Sequence, residues 1–514
     1  MKKKYYFMAM IILATSHVGA QEANLVGKVF EHILLRDGMN ASVFLNPAMQ
    51  SFHYQHSLNT LNVGYDYRHA TTPERWEEGD GHSRVFADVD AYLHKGKATL
   101  WGNAYYVNGS TRNVRYNETT DFDLLYPYLM ADTVGGKTQQ EFYHFMGGFS
   151  YPLDKKWTIG AEGEYTARME YRTRDPRPKN LTGDLRAKVG ISYLLGGLHS
   201  IGAAVTARKY KQTNELKLYN EVSVPTIYHL TGLGNDYYRF RGVNTSTYYK
   251  GYGVGGMLTY SQKDQRGWFA QAEYEYTNID KIISTLNELP MATLESDRFH
   301  GTVGYLMNDG HQYYGANLDG EIYRKFGTEN IFGTAQDNIY PQIASAEFYT
   351  SAQSRIGMET FYQNVLSGKS SCGGKWKLAY MGYSEKYQEP YRRLRYAAVA
   401  TSLLLDGKVK VGKCLLMANV HGGYEWAIKK NNDDSFLSED NSAMMQPIVH
   451  TNEYLAMTVG TWGRMWKFLC WSLVSFCHSS SCHGSTTITS RQLIRMPWLY
   501  RQAFASKRND ITLK

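Results

Sequence analysis

Residues 157–171 read WTIGAEGEYTARMEY, and their alternation decides the fold. Trp157, Ile159, Ala161, Gly163, Tyr165, Ala167, Met169 and Tyr171 stand at odd positions, whereas Glu162, Glu164, Arg168 and Glu170 stand at even ones. Successive side chains of a β-strand leave opposite faces, so a period of two describes one strand with an apolar and a charged face. A strand in a soluble domain runs about 5–6 residues, and this one is more than twice that length.

The same grammar recurs in pairs around short turns. Val85, Ala87, Val89, Ala91 and Leu93 alternate with Arg84, Asp88 and Asp90, the turn HKGK follows, and Ala98 to Tyr106 alternate on the way back. Further hairpins centre near residues 154, 197, 264, 309, 370 and 407, with Gly and Asp supplying the tight turns. Longer polar excursions separate them, near 108–141, 172–182, 212–247, 277–297, 326–343 and 427–452. Short turns on one side and long loops on the other are the asymmetry of outer-membrane barrels. Taking 52–67 as the first strand and 452–462 as the last, the pattern predicts an all-β transmembrane antiparallel β-barrel of about 14–16 strands, nominally sixteen. In hydrocarbon every backbone polar group must be paired, and strands achieve that only in a closed barrel. The large soluble β-protein is the competing architecture.

Composition agrees. The chain has 514 residues, 14% aromatic, with 42 Tyr and only 12 Pro; its mean hydropathy of -0.46 fits strands that are apolar on one face alone. No run of 18 or more apolar residues offers a spanning helix. Lys2, Lys3 and Lys4 precede a short apolar run and Val18-Gly19-Ala20, which reads as a signal peptide over 1–20. The formal charge of +8 is concentrated at the ends, in those three lysines and in residues 463–514, where eight basic residues face Asp510 alone. The body is close to neutral, and nothing in it calls for nucleic acid. The five cysteines show no framework spacing, so no disulfide is assigned.

The expected organisation is a signal peptide (1–20), a hatch-like periplasmic segment (21–51), the barrel (52–462) and an atypical basic tail (463–514). In the tail alternation fades and Trp462, Trp466, Trp471 and Trp498 crowd together, which reads as an out-of-frame replacement of a native final strand. An amphipathic extension is the rival reading.

After the signal the chain continues NASVFLNPAMQSFHYQHSLNTLNVGYDYRH. Asn46-Pro47-Ala48, just ahead of the first strand, resembles the NPA segment of the long-chain fatty-acid outer-membrane channel family, which implies a barrel with an N-terminal hatch. The Tyr-rich strands, charged loops and signal over 21–462 resemble uncharacterised outer-membrane barrel proteins of Bacteroidota, which implies location and fold but no substrate. The short lead before the first strand leaves no room for the plug domain of TonB-dependent receptors.

The lumen-facing candidates are the charged faces of three strands: Glu162, Glu164, Arg168 and Glu170; Gln271, Glu273 and Glu275; Asn317, Asp319 and Glu321. Two readings stay open for them, a plugging network with basic neighbours and a lining for a solute path. No catalytic residue, metal ligand or cofactor is assigned: HExxH, GxSxG and phosphate-loop patterns do not occur, and CHSSSCH at 477–483 lacks finger or ribbon spacing. His53 and His56 read as strand or girdle residues, and the aromatic stretch 235–253 as loop packing. The functional expectation is a passive channel or transporter for a small solute. The alternatives are a surface binding or scaffold component of an envelope uptake complex and an outer-membrane hydrolase. Outer-membrane lipid, the barrel-assembly machinery and uptake partners in the envelope are the expected associates.

Overall fold

The computed structural model describes residues 28–478 except 30, 221, 223–224, 243–245, 338, 367–369, 412–413, 431–434, 440–441 and 471–475. The expected signal peptide and most of the tail, from 479 onward, lie outside the described residues.

Sixteen long strands form one antiparallel wall. They are β1 (Leu58–His69), β2 (Gly81–Lys95), β3 (Ala98–Val114), β4 (Gly136–Pro152), β5 (Trp157–Arg172) and β6 (Arg177–Leu195). β7 (His199–Lys217), β8 (Thr247–Gln262), β9 (Gly267–Ile283), β10 (Leu289–Asn308) and β11 (Gln312–Phe332) follow. β12 (Gln342–Leu366), β13 (Ser370–Tyr387), β14 (Arg392–Val411), β15 (Cys414–Lys430) and β16 (Val459–Cys470) complete it. Each pairs with its sequence neighbours in an up-and-down order. A short strand, Phe476–His478, pairs with β16 and passes near β1, which brings the two ends of the sheet close together. This is the barrel that the alternation predicts.

The burial pattern is inverted relative to a water-soluble fold. Val189, Val205, Leu258 and Ile356 are exposed on the outer face, while Gln212, Asn214, Gln271 and Lys281 are buried on the inner one. Outward aromatic residues gather at two levels: Trp157, Trp268, Tyr305 and Tyr362 near the short turns, and Tyr65, Tyr143, Tyr252 and Tyr274 toward the long loops. An apolar band between two aromatic girdles is the surface a barrel presents to a bilayer. No described helix is long and apolar enough to cross a membrane.

Gly96 and Gly196, both at positive φ, close the β2–β3 and β6–β7 turns, as the HKGK and LLGGLH segments predict. Several expected loops are instead strand. β5 and β6 are separated only by residues 173–176, and β9 and β10 only by 284–288. β12 has 25 residues, about 80 Å of chain at 3.3 Å per residue, far more than a band about 25 Å tall requires. Beyond the band both faces of a strand meet water or loop, the alternation turns polar, and the sequence reads as loop.

Three boundaries also move. The first strand starts at Leu58, because Pro47–Phe52 is a 3-10 helix. The turn expected near 407 falls between Val411 and Cys414. The last long strand is Val459–Cys470 rather than 452–462, because Gln446–Leu455 is a helix with proline in its first turn. The start of the atypical tail therefore belongs to the wall.

Candidate functional site: a charged chamber between two closures

The N-terminal segment folds inside the barrel near the short turns. Leu35–Met39 is a short helix, Val43–Leu45 and Pro47–Phe52 are 3-10 turns, and Met39, Val43, Phe44 and Met49 pack on Phe269, Leu306 and Phe361 of the wall. The Asn46 side chain caps the second turn, accepting from the Ala48 amide at 3.0 Å, and donates to Thr259 Oγ1 at 3.2 Å. The Ala48 carbonyl accepts from Ser150 at 3.3 Å and Ser192 at 3.4 Å, and the Leu45 carbonyl from Lys188 at 3.2 Å.

This contact needs bare wall. Gly160 and Gly190 face each other across β5 and β6, and Gly202 lies on β7 opposite Ser192. A Cβ on Gly160 would stand 2.5 Å from the Pro47 carbonyl oxygen and 2.6 Å from the Ala48 nitrogen; one on Gly202 would stand 2.5 Å from Asn46 Nδ2. The NPA segment thus rests on a glycine shelf. His53 and His56 belong to this plug rather than to a strand. His53 is stacked between Phe44 and Tyr54 at 4.0 and 3.8 Å, and His56 Nδ1 meets Glu31 at 2.7 Å.

The opposite end is covered by long loops turned inward. Residues 115–135 cross the lumen, with Leu125, Tyr128, Leu129, Met130 and Ala131 all buried. Met130–Ala131 pairs with Tyr228–Gly232, which pairs with Asn235–Asp236, making a small sheet. Lys281 donates to the Leu129 carbonyl at 2.8 Å and Lys325 to that of Tyr126 at 2.8 Å. Arg172, at the end of β5, meets Glu118 and Asp132 of the loop at 2.5 Å each, all three side chains essentially inaccessible. The aromatic stretch 235–253 is loop packing here: Arg239 donates to the Phe332 carbonyl at 2.7 Å, and Phe240 packs on Phe332. Arg392, at the start of β14, donates to Leu233 at 2.8 Å.

Next to this cover, Glu77 in the β1–β2 loop is buried, and burial pushes its carboxyl from 4.5 up to about 7. The folded loop therefore binds the proton more tightly than the unfolded one. Its stabilisation is full below about pH 4.5 and is lost as pH rises through about 7, a change of about 3 kcal/mol. Amide exchange across residues 70–80 should accelerate between pH 5 and 8 after correction for intrinsic rates, and Glu77→Gln should remove that dependence. An unchanged profile in the variant would assign it to another group.

Between the closures the sequence candidates separate into three levels. At the plug, Glu162 accepts from Trp101 Nε1 at 2.8 Å, Asn317 donates to the Met39 carbonyl at 3.0 Å, and Gln271 is buried on β9. In the middle, Glu164 faces His144 at 3.7 Å, Asp319 pairs with Arg355 at 2.5 Å, and Glu321 with Arg298 at 2.8 Å. Glu275 lies 3.7 Å from Arg186 and 3.8 Å from Arg208, and Glu273 adds its charge near Arg298. Toward the cover, Arg168 pairs with Asp121 of the crossing loop at 3.0 Å, and Glu170 follows two residues on, on the same inner face.

The basic partners escaped the sequence reading, although Asp184, Arg186 and Lys188 obey the same alternation against Leu185, Ala187 and Val189. A second missed signal is GYGVGG at 251–256. Gly251, Gly253 and Gly255 take the inward positions of β8, with Gly253 opposite Arg208 of β7 and Gly255 opposite Glu275 of β9. A strand without inward side chains lets the guanidiniums of Arg186 and Arg208 reach across it, and Asp184 holds Arg208 from behind by a two-bond fork at 2.8 and 2.9 Å. Arg186 and Arg168 keep 34% and 25% of their side-chain surface accessible although both barrel ends are covered. The middle is charge-lined, and its guanidiniums keep accessible surface. Among the described residues no group of three or more His, Cys, Asp or Glu is placed to hold a metal ion.

A membrane-spanning barrel closed at both ends by its own chain is thus the class that fold and site define. The chain belongs to a family of unknown function (DUF6850), whose model matches residues 47–473, from the plug to just past β16. No curated protein matches it. Among solved structures it is similar to the outer membrane transporter YddB of Escherichia coli (8% identity, 80% of this chain and 66% of that one, TM-score 0.36). It is also similar to the ferric preacinetobactin receptor BauA of Acinetobacter baumannii (9%, 73% of each chain, TM-score 0.34). A further match is the CymD monoaromatic hydrocarbon channel (9%, 67% of this chain and 90% of that one, TM-score 0.35).

Proposed function

We propose that the protein is an outer-membrane transporter for a small polar solute, closed at rest and opened by displacement of its plug and its crossing loop. The observation that carries this reading is the accessibility of the inner charges: Arg186 and Arg168 retain accessible surface in the middle of the barrel. A wall meant only as scaffold has no need of accessible guanidiniums there. Sixteen strands enclose enough cross-section for an aqueous path once the inserts move. The ten sequence candidates and their partners Arg186, Arg208, Arg298 and Arg355 would line that path, with alternating charge favouring solutes bearing both donors and acceptors.

The two closures favour one alternative, a surface binding component whose barrel is only an anchor. Liposome swelling separates the two. The resting protein should admit no small sugar or amino acid, and a form with both closures released should admit them. A barrel that stays impermeable with both released overturns transport.

A further inference from the structure

The outer wall carries a feature that the chamber does not explain. On the outward face, Lys211 of β7 stands directly opposite Lys250 of β8, and Lys209 stands opposite Tyr252. On the other side, the same two lysines face Gly183 and Leu185 of β6. All three lysines are exposed. Asp280 is across from Lys250 on β9, where it also accepts from Thr293 at 2.8 Å. Like charges directly opposite in an antiparallel pair repel, and neither Lys209 nor Lys211 has an acid directly opposite on either neighbouring strand, so the three lysines outnumber the one carboxylate. Its level is that of the upper aromatic girdle, marked by Tyr252, where lipid headgroups lie.

Below the lysines the outward face turns small and apolar. Ala207, Val205, Ala203 and Ile201 descend β7 beside Ala187, Val189 and Ile191 of β6. The wall is dented here by a groove of about 410 Å³ lined by Phe149, Ile159, Ala161, Val189, Ile191 and Ala203. It continues into a second hollow of about 460 Å³ that shares Phe149, Ala161 and Val189. Val205 lines the first hollow four residues below Lys209, about 13 Å along the strand.

We propose that the outer face of β4–β8 binds a phosphorylated lipid of the surrounding leaflet, its headgroup phosphate held by Lys209, Lys211 and Lys250 and one acyl chain in the groove. The juxtaposition of a lysine rung with excess positive charge and a chain-sized apolar hollow beneath it matches such a molecule at both ends. A soluble anion would use the lysines alone, and a neutral lipid the groove alone. The site stands whether or not the barrel transports.

Native mass spectrometry of the purified full chain, with bisphosphorylated lipid A or phosphatidylethanolamine added, tests this. One lipid A should be retained by the parent protein. The triple variant Lys209→Ser, Lys211→Ser, Lys250→Ser should bind it about a hundredfold more weakly, from roughly a tenfold effect per surface charge at most. The corresponding three Lys→Arg substitutions should keep binding, and Ala203→Phe, which fills the groove with the lysines intact, should reduce it. Heat-modifiable migration of each variant on gels confirms a folded barrel. Equal retention of lipid A by the serine variant, equal retention of phosphatidylethanolamine by the parent, or full displacement by millimolar inorganic phosphate would each overturn the site.

Discussion

Gly160→Val should unseat the N-terminal plug while leaving the barrel standing. The new Cβ would meet backbone, the Pro47 carbonyl oxygen at 2.5 Å and the Ala48 nitrogen at 2.6 Å, and no rotamer change relieves a clash with backbone. The wall side cannot yield, since β5 is hydrogen-bonded along its length to β4 and β6. The short segment has to move instead, and with it go the Asn46–Thr259, Ala48–Ser150 and Ala48–Ser192 hydrogen bonds. Overpacking of a tight contact costs about 1–3 kcal/mol, so amide exchange over residues 43–53 should speed up by roughly tenfold to a hundredfold. The control lies on the same strand: a Cβ on Gly163 would meet nothing within 4 Å, and Gly163→Val should leave the plug protected. Equal protection in both variants would mean that the glycine shelf does not seat the plug.

How much of this was legible in the sequence follows from what a period of two can report. Within the bilayer one face of each strand must be apolar, so residues such as 157–171 announce both their strand and their facing. The inward candidates, Glu162 through Glu321, follow from that rule, and they alternate with exposed outward residues along β5, β9 and β11. Outside the bilayer the rule lapses, which is why the ends of β9, β10 and β12 read as loop. The closures were less legible still. Asn46-Pro47-Ala48 is a turn signal, but its seat is built from Gly160, Gly190 and Gly202 on three strands, far off in sequence. The crossing loop 115–135 is an ordinary polar excursion until Arg172 is seen between Glu118 and Asp132. Long-range pairs of this kind carry no local period, so an alternation reading cannot find them.

Arg172→Met should release the second closure, and the two variants together decide whether the barrel is a path. The guanidinium is the sole cation meeting Glu118 and Asp132 among the described ion pairs, and it also donates to the Pro176 carbonyl at 2.8 Å. Removing one member of a buried charged network strands the others, at about 3–5 kcal/mol. That exceeds what the neutral contacts nearby supply singly, such as Asn180 to the Glu118 carbonyl at 2.9 Å or Thr120 to Gln212 at 2.6 Å, each of about 0.5–1.5 kcal/mol. The loop should lift, and trypsin should then cut after Arg115 faster than in the parent, where the following residue, Tyr116, is buried and its amide donates to the Asp132 carbonyl. Adding Glu118→Gln and Asp132→Asn to the Met variant removes the stranded charges and should restore protection; a loop still cleaved would place the anchor elsewhere. The closures act in series, so in a planar bilayer Gly160→Val alone meets the intact loop and Arg172→Met alone meets the intact plug. Each should conduct little, and the double variant should show steady steps. Such a greater-than-additive gain is expected only if one continuous wet chamber, lined by Arg186, Arg208, Glu275 and their neighbours, joins the two ends.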